Sequence, residues 1–440
     1  MTYQRANNDP DSKHAGRSVP RREIFAWAMF DFANSGYTTV VLTTIFNAYF
    51  VGVVAAGDDS GRATLIWSGA MAAANLLVLL SAPLVGAIAD ESASKKRLLA
   101  LTTLGCVIGT ALLGFAAPGD VTWAAGCVIV ATLMFATGEN LIAAFLPEIA
   151  KPDEMGRISA YGWTLGYFGG LLVLGASLVI VKAGEARGAT AAEYVGQVMW
   201  FTAFAFAVAS LPTFLWLRER AQPRGNETAW QIARAGVSRL RETLTHVRAH
   251  RDLFRFLIIL AVYQSGVATV IVLAAVFAQQ VMGFSTQDTI VMVLVVNVAA
   301  AFGAFVFGHV QDRIGSVRSL AITLLVWIAA IGVAYVGESR TSFWVAAGLI
   351  GVSMGASQSA GRALVGLFTP PERCAEYFGL WGLATKLAAI VGPLNYGLIA
   401  YVTGGDHRRA LLGTAIFFVA GLALLFTVNE TRGRAAAHGG

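Results

Sequence analysis

Four polar residues on the first apolar segment of the chain share one face of a predicted helix. Residues 25–50 read FAWAMFDFANSGYTTVVLTTIFNAYF, and the polar side chains follow the helical spacing i, i+3, i+4 and i+7: Asp31, Asn34, Ser35 and Thr38. In a partly dry cavity the carboxylate could exchange a proton near neutral pH, and its neighbours could hydrogen-bond a polar solute. The alternative is a capping or packing role near one end of the helix.

Three other ionisable residues lie inside apolar segments: Glu139, Arg362 and Lys386. Charges within a bilayer are costly, so each is a candidate functional residue. Glu139 and Arg362 occupy equivalent places in an internal repeat, and we expect them to face each other across a cavity. There they form either an interhelical ion pair or the binding groups for a zwitterion. Gln358 adds polarity one turn before Arg362, and Lys386 requires an anionic partner or a solute carboxylate.

The elements that carry these residues are predicted to be membrane helices. Of the 440 residues, 56% are apolar and 13% are charged, with a mean hydropathy of +0.63. Soluble domains average about 25% charged residues, and a bilayer core requires about 20 apolar residues per helix. The sequence therefore predicts an all-α membrane protein with twelve such segments, which begin near Ile24, Ala63, Leu98, Val121, Ile158, Gly196, Leu253, Gln287, Val317, Ser342, Ala375 and Ala410.

Basic residues predict the orientation. If the N-terminal tail is cytoplasmic, 24 of the 32 Lys and Arg residues lie in cytoplasmic segments and 6 lie in outer loops. We therefore expect a multi-pass protein with both termini cytoplasmic. The high content of Ala, Gly, Val and Arg favours the bacterial cell (inner) membrane. The net charge of +6 then belongs to the inner membrane surface and does not indicate nucleic-acid binding.

Signals for catalysis or cofactors are missing from the sequence. It contains neither the G-x-x-x-x-G-K-[ST] loop of nucleotide hydrolases nor the H-E-x-x-H motif of zinc hydrolases. Cys106, Cys127 and Cys374 lack the spacing of a metal or redox site and are interpreted as packing residues. We expect no enzymatic activity, no metal and no cofactor.

Three pairs of similar stretches indicate a duplicated six-helix unit. GAIAD at 86–90 matches GHVQD at 308–312, and GENLIAAFLP at 138–147 matches GRALVGLFTP at 361–370. AYGW at 160–163 and YFGLW at 377–381 form a third pair at a similar offset. Because the copies have the same orientation, the sequence predicts two parallel six-helix repeats. The Gly-x-x-x-Asp pairs, at Gly86 and Asp90 and at Gly308 and Asp312, lie at predicted turns.

The duplication defines the expected domains. They are a cytoplasmic N-terminal tail (1–23), a six-helix bundle (24–217), a cytoplasmic linker (218–252), a second six-helix bundle (253–429) and a cytoplasmic C-terminal tail (430–440). Within the linker, apolar residues recur every three or four positions between arginines. This pattern is typical of an amphipathic helix on the inner membrane surface.

Parallel six-helix repeats joined by a linker resemble the two halves of major facilitator transporters. GAIADESASKKRLL resembles the loop between the second and third helices of that superfamily. The opening segment, FLPEIA, SAGRAL and FGLWGLATKLAAIVGPL are similar to one branch, the vacuole-effluxer-like permeases related to the yeast autophagy amino-acid exporter. The first loop departs from the usual pattern at Glu91 and Ala93, whereas the second copy keeps Arg313 and Gly315.

The resemblance implies a secondary transporter that works by alternating access. Together with the residues above, it favours a monomeric, proton-coupled permease for small polar solutes in the lipid bilayer, with amino acid efflux as the leading hypothesis. An exporter of another small organic solute, such as a drug, sugar or peptide, is the alternative, and a transport-inactive membrane sensor or scaffold is an alternative of another class. Five residues are expected to act in gating: Gly86, Asp90, Gly308, Asp312 and Arg313. Of these, the two aspartates are expected to bind helix N-termini across the halves.

Overall fold

The computed structural model describes residues 19–55, 60–223, 245–248 and 250–438. The expected amphipathic pattern of the linker falls largely on residues 224–244, outside the described part. The first six-helix repeat comprises α1 (Arg21–Tyr37), α2 (Ile45–Tyr49), α3 (Ser60–Glu91), α4 (Lys95–Leu113), α5 (Val121–Ala143), α6 (Leu146–Ile149), α7 (Met155–Ala186) and α8 (Ala191–Trp216).

The second repeat is built from six long helices and a short terminal one. A single 3₁₀ turn, Pro371–Arg373, precedes the fifth of them. The helices are α9 (Arg251–Gln280), α10 (Thr286–Ile314), α11 (Ser316–Val336), α12 (Arg340–Phe368), α13 (Cys374–Val402), α14 (His407–Leu425) and α15 (Glu430–His438). The predicted C-terminal tail therefore contains a helix, which is joined to the start of α9 through Asp252 and Arg432.

Within the described residues, eleven segments are long and apolar enough to cross a membrane. They match eleven of the twelve predicted windows. The remaining window, which begins near Ser342, corresponds to α12. That helix is 29 residues long but is not among the eleven segments. Most of α12 is buried among other helices, so it does not need to present an apolar surface to lipid. The fold is the twelve-helix, two-repeat architecture that the sequence predicts.

The first membrane-spanning segment is not a uniform α-helix. After Tyr37 it continues as a π-helical stretch, Thr38–Thr43, and a second π-helical stretch, Phe50–Val54, follows α2. Hydroxyl groups support the wider turn, since Thr43 Oγ1 donates to the Thr38 carbonyl at 2.9 Å and Thr44 Oγ1 donates to the Thr39 carbonyl at 2.6 Å. Single π turns inside α-helices frequently occur at functional sites.

The two repeats meet along two main seams. In one, α3 packs against α13, and in the other α7 packs against α10 and α12. Residues 217–223, the start of α9 and the C-terminal α15 lie at one end of the bundle, joined by hydrogen bonds from Arg218 to Glu23 and from Asn429 to Asp252. We call this the linker end.

Candidate functional site

A cavity of about 380 Å³ lies between the two repeats, lined by residues of α1, α5, α7, α9, α10, α12 and neighbouring segments. Seven of the eight residues predicted to bind solute or to couple transport line it: Asp31, Asn34, Ser35, Thr38, Glu139, Gln358 and Arg362. The cavity also reaches Thr43, Thr44, Phe277 and Phe343, which lie away from the linker end. The structure therefore brings most of the sequence candidates together in one space.

The polar face of α1 forms one wall of the cavity. The hydroxyls of Ser35 and Thr38 donate to the carbonyls of Asp31 and Asn34, at 3.0 and 3.4 Å. Asn34 Oδ1 is buried and, within the described part of the chain, has no hydrogen-bond partner. Because buried polar atoms are nearly always paired, this oxygen is an acceptor on α1 that a ligand could occupy.

Asp31 and Arg362 form an ion pair between the two repeats. Asp31 Oδ2 accepts a hydrogen bond from Arg362 Nη1 at 2.6 Å, and the two side chains are 12% and 4% exposed. The guanidinium also lies over two indole rings, with its central carbon 4.7 Å from the Trp27 ring and 5.3 Å from the Trp163 ring. The hydroxyl and the carbonyl of Ser159 accept two further hydrogen bonds from the same guanidinium.

The expected pairing of Glu139 with Arg362 is not what the structure contains. Both residues line the cavity, but among the described residues the ion-pair partner of Arg362 is Asp31. Glu139 is attracted most strongly by Lys386, is repelled by Asp31, and is attracted more weakly by Arg362. The repeat placed the two backbones correctly, but the direction of the Arg362 side chain is set by α1 and α7.

Lys386 is the one of the eight residues that does not line the cavity. It is half-buried on α13, and its charge acts on Glu139. Gln358 does line the cavity, where its Oε1 accepts a hydrogen bond from Gln264 Nε2 at 2.5 Å. Gln264 is a residue that the sequence analysis missed, because a lone amide within a long apolar helix carries no periodic signal.

The cavity wall contributed by the second repeat is mainly apolar. The polar residues on this wall are Thr269, Asn297, Gln358, Arg362 and Tyr396, and the rest of the wall consists largely of aliphatic, aromatic and thioether side chains. They include Val270, Leu273, Ala274, Phe277, Met292, Val296, Phe343, Ile350 and Met354. A ligand in the cavity would therefore meet hydrogen-bonding groups on the α1 side and apolar side chains on the opposite side.

The first predicted gating residue binds a helix N-terminus in the other repeat. Asp90 accepts hydrogen bonds from the backbone N–H groups of Ala375 and Glu376 in the first turn of α13, at 3.0 and 2.8 Å. Gly86 allows this approach, since a methyl group there would overlap the Ala375 carbonyl. The loop after Asp90 contains Ala93 with a positive φ of 45°, a conformation that glycine adopts more easily.

The second predicted gating residue makes the equivalent contact at the other seam. Asp312 accepts from the N–H groups of Gly156 and Arg157 in the first turn of α7, at 2.9 and 3.1 Å. Gly308 packs directly against Ala160, with no space for a side chain. Arg313 is exposed at the end of α10 and is not a partner in these two hydrogen bonds.

Two ion pairs that join chain segments at the linker end were not predicted from the sequence. Glu23 accepts from the Arg218 backbone at 3.0 Å and pairs with Arg220 at 2.7 Å, an interaction that raises the pKa of the Arg220 guanidinium. Asp252 repeats this arrangement with the Asn429 backbone at 2.9 Å and with Arg432 at 2.6 Å.

A glutamate lies between the two partners of each carboxylate and caps another helix. Glu219 binds the N-terminus of α4 through the backbone N–H groups of Lys95 and Lys96, at 2.7 and 3.1 Å. Glu430 binds the N-terminus of α11 through Val317 N at 3.0 Å. The sequence signal is the similar arrangement of Glu and Arg in RER at 218–220 and NETR at 429–432.

The fold and the site together define a major facilitator transporter. Solved structures of that class match almost the whole chain: the human organic anion transporter MFSD10 (TETRAN) with a TM-score of 0.69 and 15% identity, covering 92% of this chain and 99% of that chain; and the proton:xylose symporter XylE with a TM-score of 0.69 and 17% identity, covering 94% and 96%. At these identities, the likeness shows the fold.

The chain belongs to the vacuole effluxer Atg22-like family, whose model matches residues 68–438. It is 25% identical over 408 residues to the uncharacterized MFS-type transporter YxiO of Bacillus subtilis (strain 168), covering 92% of this chain and 94% of that protein. It is also 25% identical over 303 residues to autophagy-related protein 22-1 of Penicillium rubens, covering 63% of this chain. That alignment spans 50% of the fungal protein.

Proposed function

We propose that this multi-pass membrane transporter couples proton movement to the transport of small polar solutes, with amino acids as the solute class. The observation that carries the proposal is the buried Asp31–Arg362 ion pair, which joins the two repeats at the wall of the central cavity. An ion pair in this position can respond to both a proton and a solute while it holds the two halves together.

The proposed coupling follows from the electrostatics of that pair. While Asp31 is ionised, its Oδ2 binds Arg362 Nη1. Removing one charge from a buried pair costs about 3–5 kcal/mol because the other charge is left without a partner. Protonation of Asp31 would therefore favour a solute carboxylate beside Arg362. One charge moved through the membrane potential contributes about 2.3 kcal/mol per 100 mV, a drive of comparable size.

An amino acid would find complementary groups around the same cavity. Glu139 is the carboxylate for its ammonium group, and Arg362, once released, is the cation for its carboxylate. Two buried polar atoms of cavity-lining residues, Asn34 Oδ1 and Trp163 Nε1, are without hydrogen-bond partners in the described part of the chain. We assign Lys386 an electrostatic effect on Glu139 rather than contact with the solute.

Alternating access would require contacts at the linker end to break. The hydrogen bonds made by Asp90 and Asp312 join the repeats near that end, whereas the cavity extends towards the opposite end. If the linker end is cytoplasmic, as the basic residues predict, this arrangement corresponds to an outward-facing state. We propose that both acidic residues stabilise it.

The apolar wall supports a second candidate within the same class. Val270, Phe277 and Met292 could accommodate a bulky apolar group, so another small organic solute fits the cavity if it also carries a polar group for the α1 side. Transport assays over amino acids, peptides, sugars and amphipathic drugs distinguish these solutes. Binding without flux for every solute would instead favour a transport-inactive sensor.

The test is flux into liposomes that contain the purified protein. With radiolabelled amino acids and an imposed pH gradient, the wild type should accumulate solute against its gradient. Asp31→Asn should abolish accumulation and retain exchange between equal solute pools. Asp120→Asn is the matched control, because Asp120 lies in the exposed loop before α5. Accumulation by Asp31→Asn would contradict the coupling assignment, and absence of amino acid flux in the wild type would contradict the solute assignment.

A further inference from the structure

We propose that Ser159 is the positioning residue of the coupling pair and holds the Arg362 guanidinium in the direction of Asp31. The inference rests on the proposed proton coupling and deepens it. Ser159 lies on α7, is fully buried and does not belong to the cavity lining. Its side chain and its backbone both contact Arg362, which is on α12 in the other repeat.

The Ser159 hydroxyl is used in both hydrogen-bonding directions. It donates to the Ser359 carbonyl at 2.9 Å and accepts from Arg362 Nε at 3.2 Å. A serine hydroxyl has one proton to donate. The bond to Ser359 therefore orients the hydroxyl so that a lone pair is available to the guanidinium. Ser359 precedes Arg362 by three residues on the same helix, so the hydroxyl fixes both the arginine side chain and the helix that carries it.

The backbone of Ser159 completes the arrangement. Its carbonyl accepts from Arg362 Nη2 at 2.7 Å, while Asp31 accepts from Nη1 at 2.6 Å. All three nitrogens of the guanidinium are thus bonded to the first repeat, and the group also contacts the rings of Trp27 and Trp163. A planar guanidinium whose three nitrogens are all bonded has its orientation fixed by those bonds.

A glycine allows α7 to approach closely enough for this contact. A side chain at Gly162 would overlap Asp31 Oδ2 and the Arg362 guanidinium. The close approach brings Ser159, one turn earlier on α7, into hydrogen-bonding distance. Ser159 can therefore act on the pair without contact with a solute in the cavity.

Loss of the Ser159 hydroxyl should change the pH response in a defined direction. In Ser159→Ala the Arg362 guanidinium is less constrained and stabilises the charged Asp31 carboxylate less well. The Asp31 carboxylate should therefore take up its proton at higher pH than in the wild type. The other titratable groups that act electrostatically on the pair are Glu139 of α5 and Tyr167 of α7, and Lys386 of α13 acts through Glu139. The substitution leaves these residues in place, so a shift would be attributable to the guanidinium.

The experiment compares Ser159→Ala with Ser177→Ala in liposomes across a pH series. Ser177 is also fully buried on α7, and its hydroxyl donates to the Val173 carbonyl of its own helix at 2.7 Å. We expect Ser159→Ala to move the midpoint of proton-driven accumulation upward by about one pH unit, a tenfold change in proton affinity. Ser177→Ala should keep the wild-type midpoint.

Two additional measurements separate positioning from a structural defect. Ser159→Thr retains a hydroxyl and should restore the midpoint towards the wild-type value. Exchange between equal solute pools should persist in Ser159→Ala. An unchanged midpoint with a lower maximal rate would overturn the role of Ser159, as would an equal shift in both serine variants. A wild type whose accumulation is independent of pH would instead contradict the proposed coupling and, with it, this inference.

Discussion

Asp90 and Asp312 bind the second and third residues of the helices that they face. Asp90 accepts from Ala375 and Glu376 of α13, and Asp312 accepts from Gly156 and Arg157 of α7. In both cases one carboxylate uses both oxygens on adjacent N–H groups of the opposite repeat. The two seams are therefore held by the same contact, at the N-termini where helix dipoles favour negative charge.

Asp90→Asn and Asp312→Asn should each weaken the closed linker end. An asparagine side chain has one acceptor oxygen, so one of the two N–H bonds is lost together with the charge. A loss of about 1–2 kcal/mol is expected for each. The measurement is the distance between spin labels on the exposed positions Arg97 and Arg318, one in each repeat.

The distance distributions of both variants should shift to larger values. We expect the larger effect for Asp90, because it is 5% exposed whereas Asp312 is only half-buried. Asp406→Asn is the control, since Asp406 caps α14 within a single repeat through Arg409 N at 3.0 Å. Unchanged distances in both variants would show that Asp90 and Asp312 cap helices without stabilising the closed linker end.

Gly86→Ala and Gly308→Ala should open the same end by steric overlap. The added methyl groups would overlap the Ala375 carbonyl and the Ala160 side chain, respectively. Helix packing is close to crystal density, so neither seam can absorb an added methyl group without moving apart. Gly69→Ala is the control within α3, because the space around Gly69 is open. The same spin-label pair reports the result, and closed distances in both variants would contradict the prediction.

Neutralising both members of the Asp31–Arg362 pair should be less damaging than neutralising one. Arg362→Gln leaves a buried carboxylate unpaired, at a cost of about 3–5 kcal/mol. The double variant Asp31→Asn, Arg362→Gln should recover at least about 1 kcal/mol relative to the sum of the single changes. Thermal unfolding of the purified variants measures this coupling. Additive losses would show that the two charges do not depend on each other.

Glu139→Gln should remove the preference for a free amino group. If Glu139 binds the solute ammonium, the substitution should weaken binding about 10-fold or more, the range for a hydrogen bond between charged groups. The wild type should discriminate between an amino acid and its N-acetyl derivative, and the variant should not. Equal loss of affinity for both compounds would instead indicate a structural role.

The orientation of the chain can be tested with single cysteines. Glu185→Cys and Thr341→Cys, both exposed away from the linker end, should react with an impermeant reagent from outside the cell, and Asp153→Cys should not. The native thiols of Cys106, Cys127 and Cys374 are buried, which keeps the background low. External reaction at position 153 alone would reverse the proposed topology.

Local patterns in the sequence predicted the parts of the site that depend on one helix. The face formed by Asp31, Asn34, Ser35 and Thr38 follows from helical spacing, and all four residues line the cavity. The Asp90 and Asp312 sites were visible because an internal duplication repeats a short motif. The number of helices followed from the length and apolarity of the segments.

Contacts between distant helices could not be predicted in the same way. Arg362 is 331 residues from Asp31 and 203 residues from Ser159. A buried serine or tryptophan in an apolar helix resembles an ordinary packing residue. The duplication therefore suggested Glu139 as a partner, but it contains no information about the direction of the guanidinium.

The division of the cavity into a polar and an apolar wall has a consequence for the divergence of the family. Asp31 and its neighbours on α1 form the polar wall, whereas Val270, Phe277 and Met292 belong to the apolar wall of the other repeat. Substitutions among these apolar side chains can reshape the space for a solute without altering the ion pair. New cargo preferences can therefore evolve on the apolar wall while the Asp31–Arg362 pair, to which both repeats contribute, is inherited unchanged.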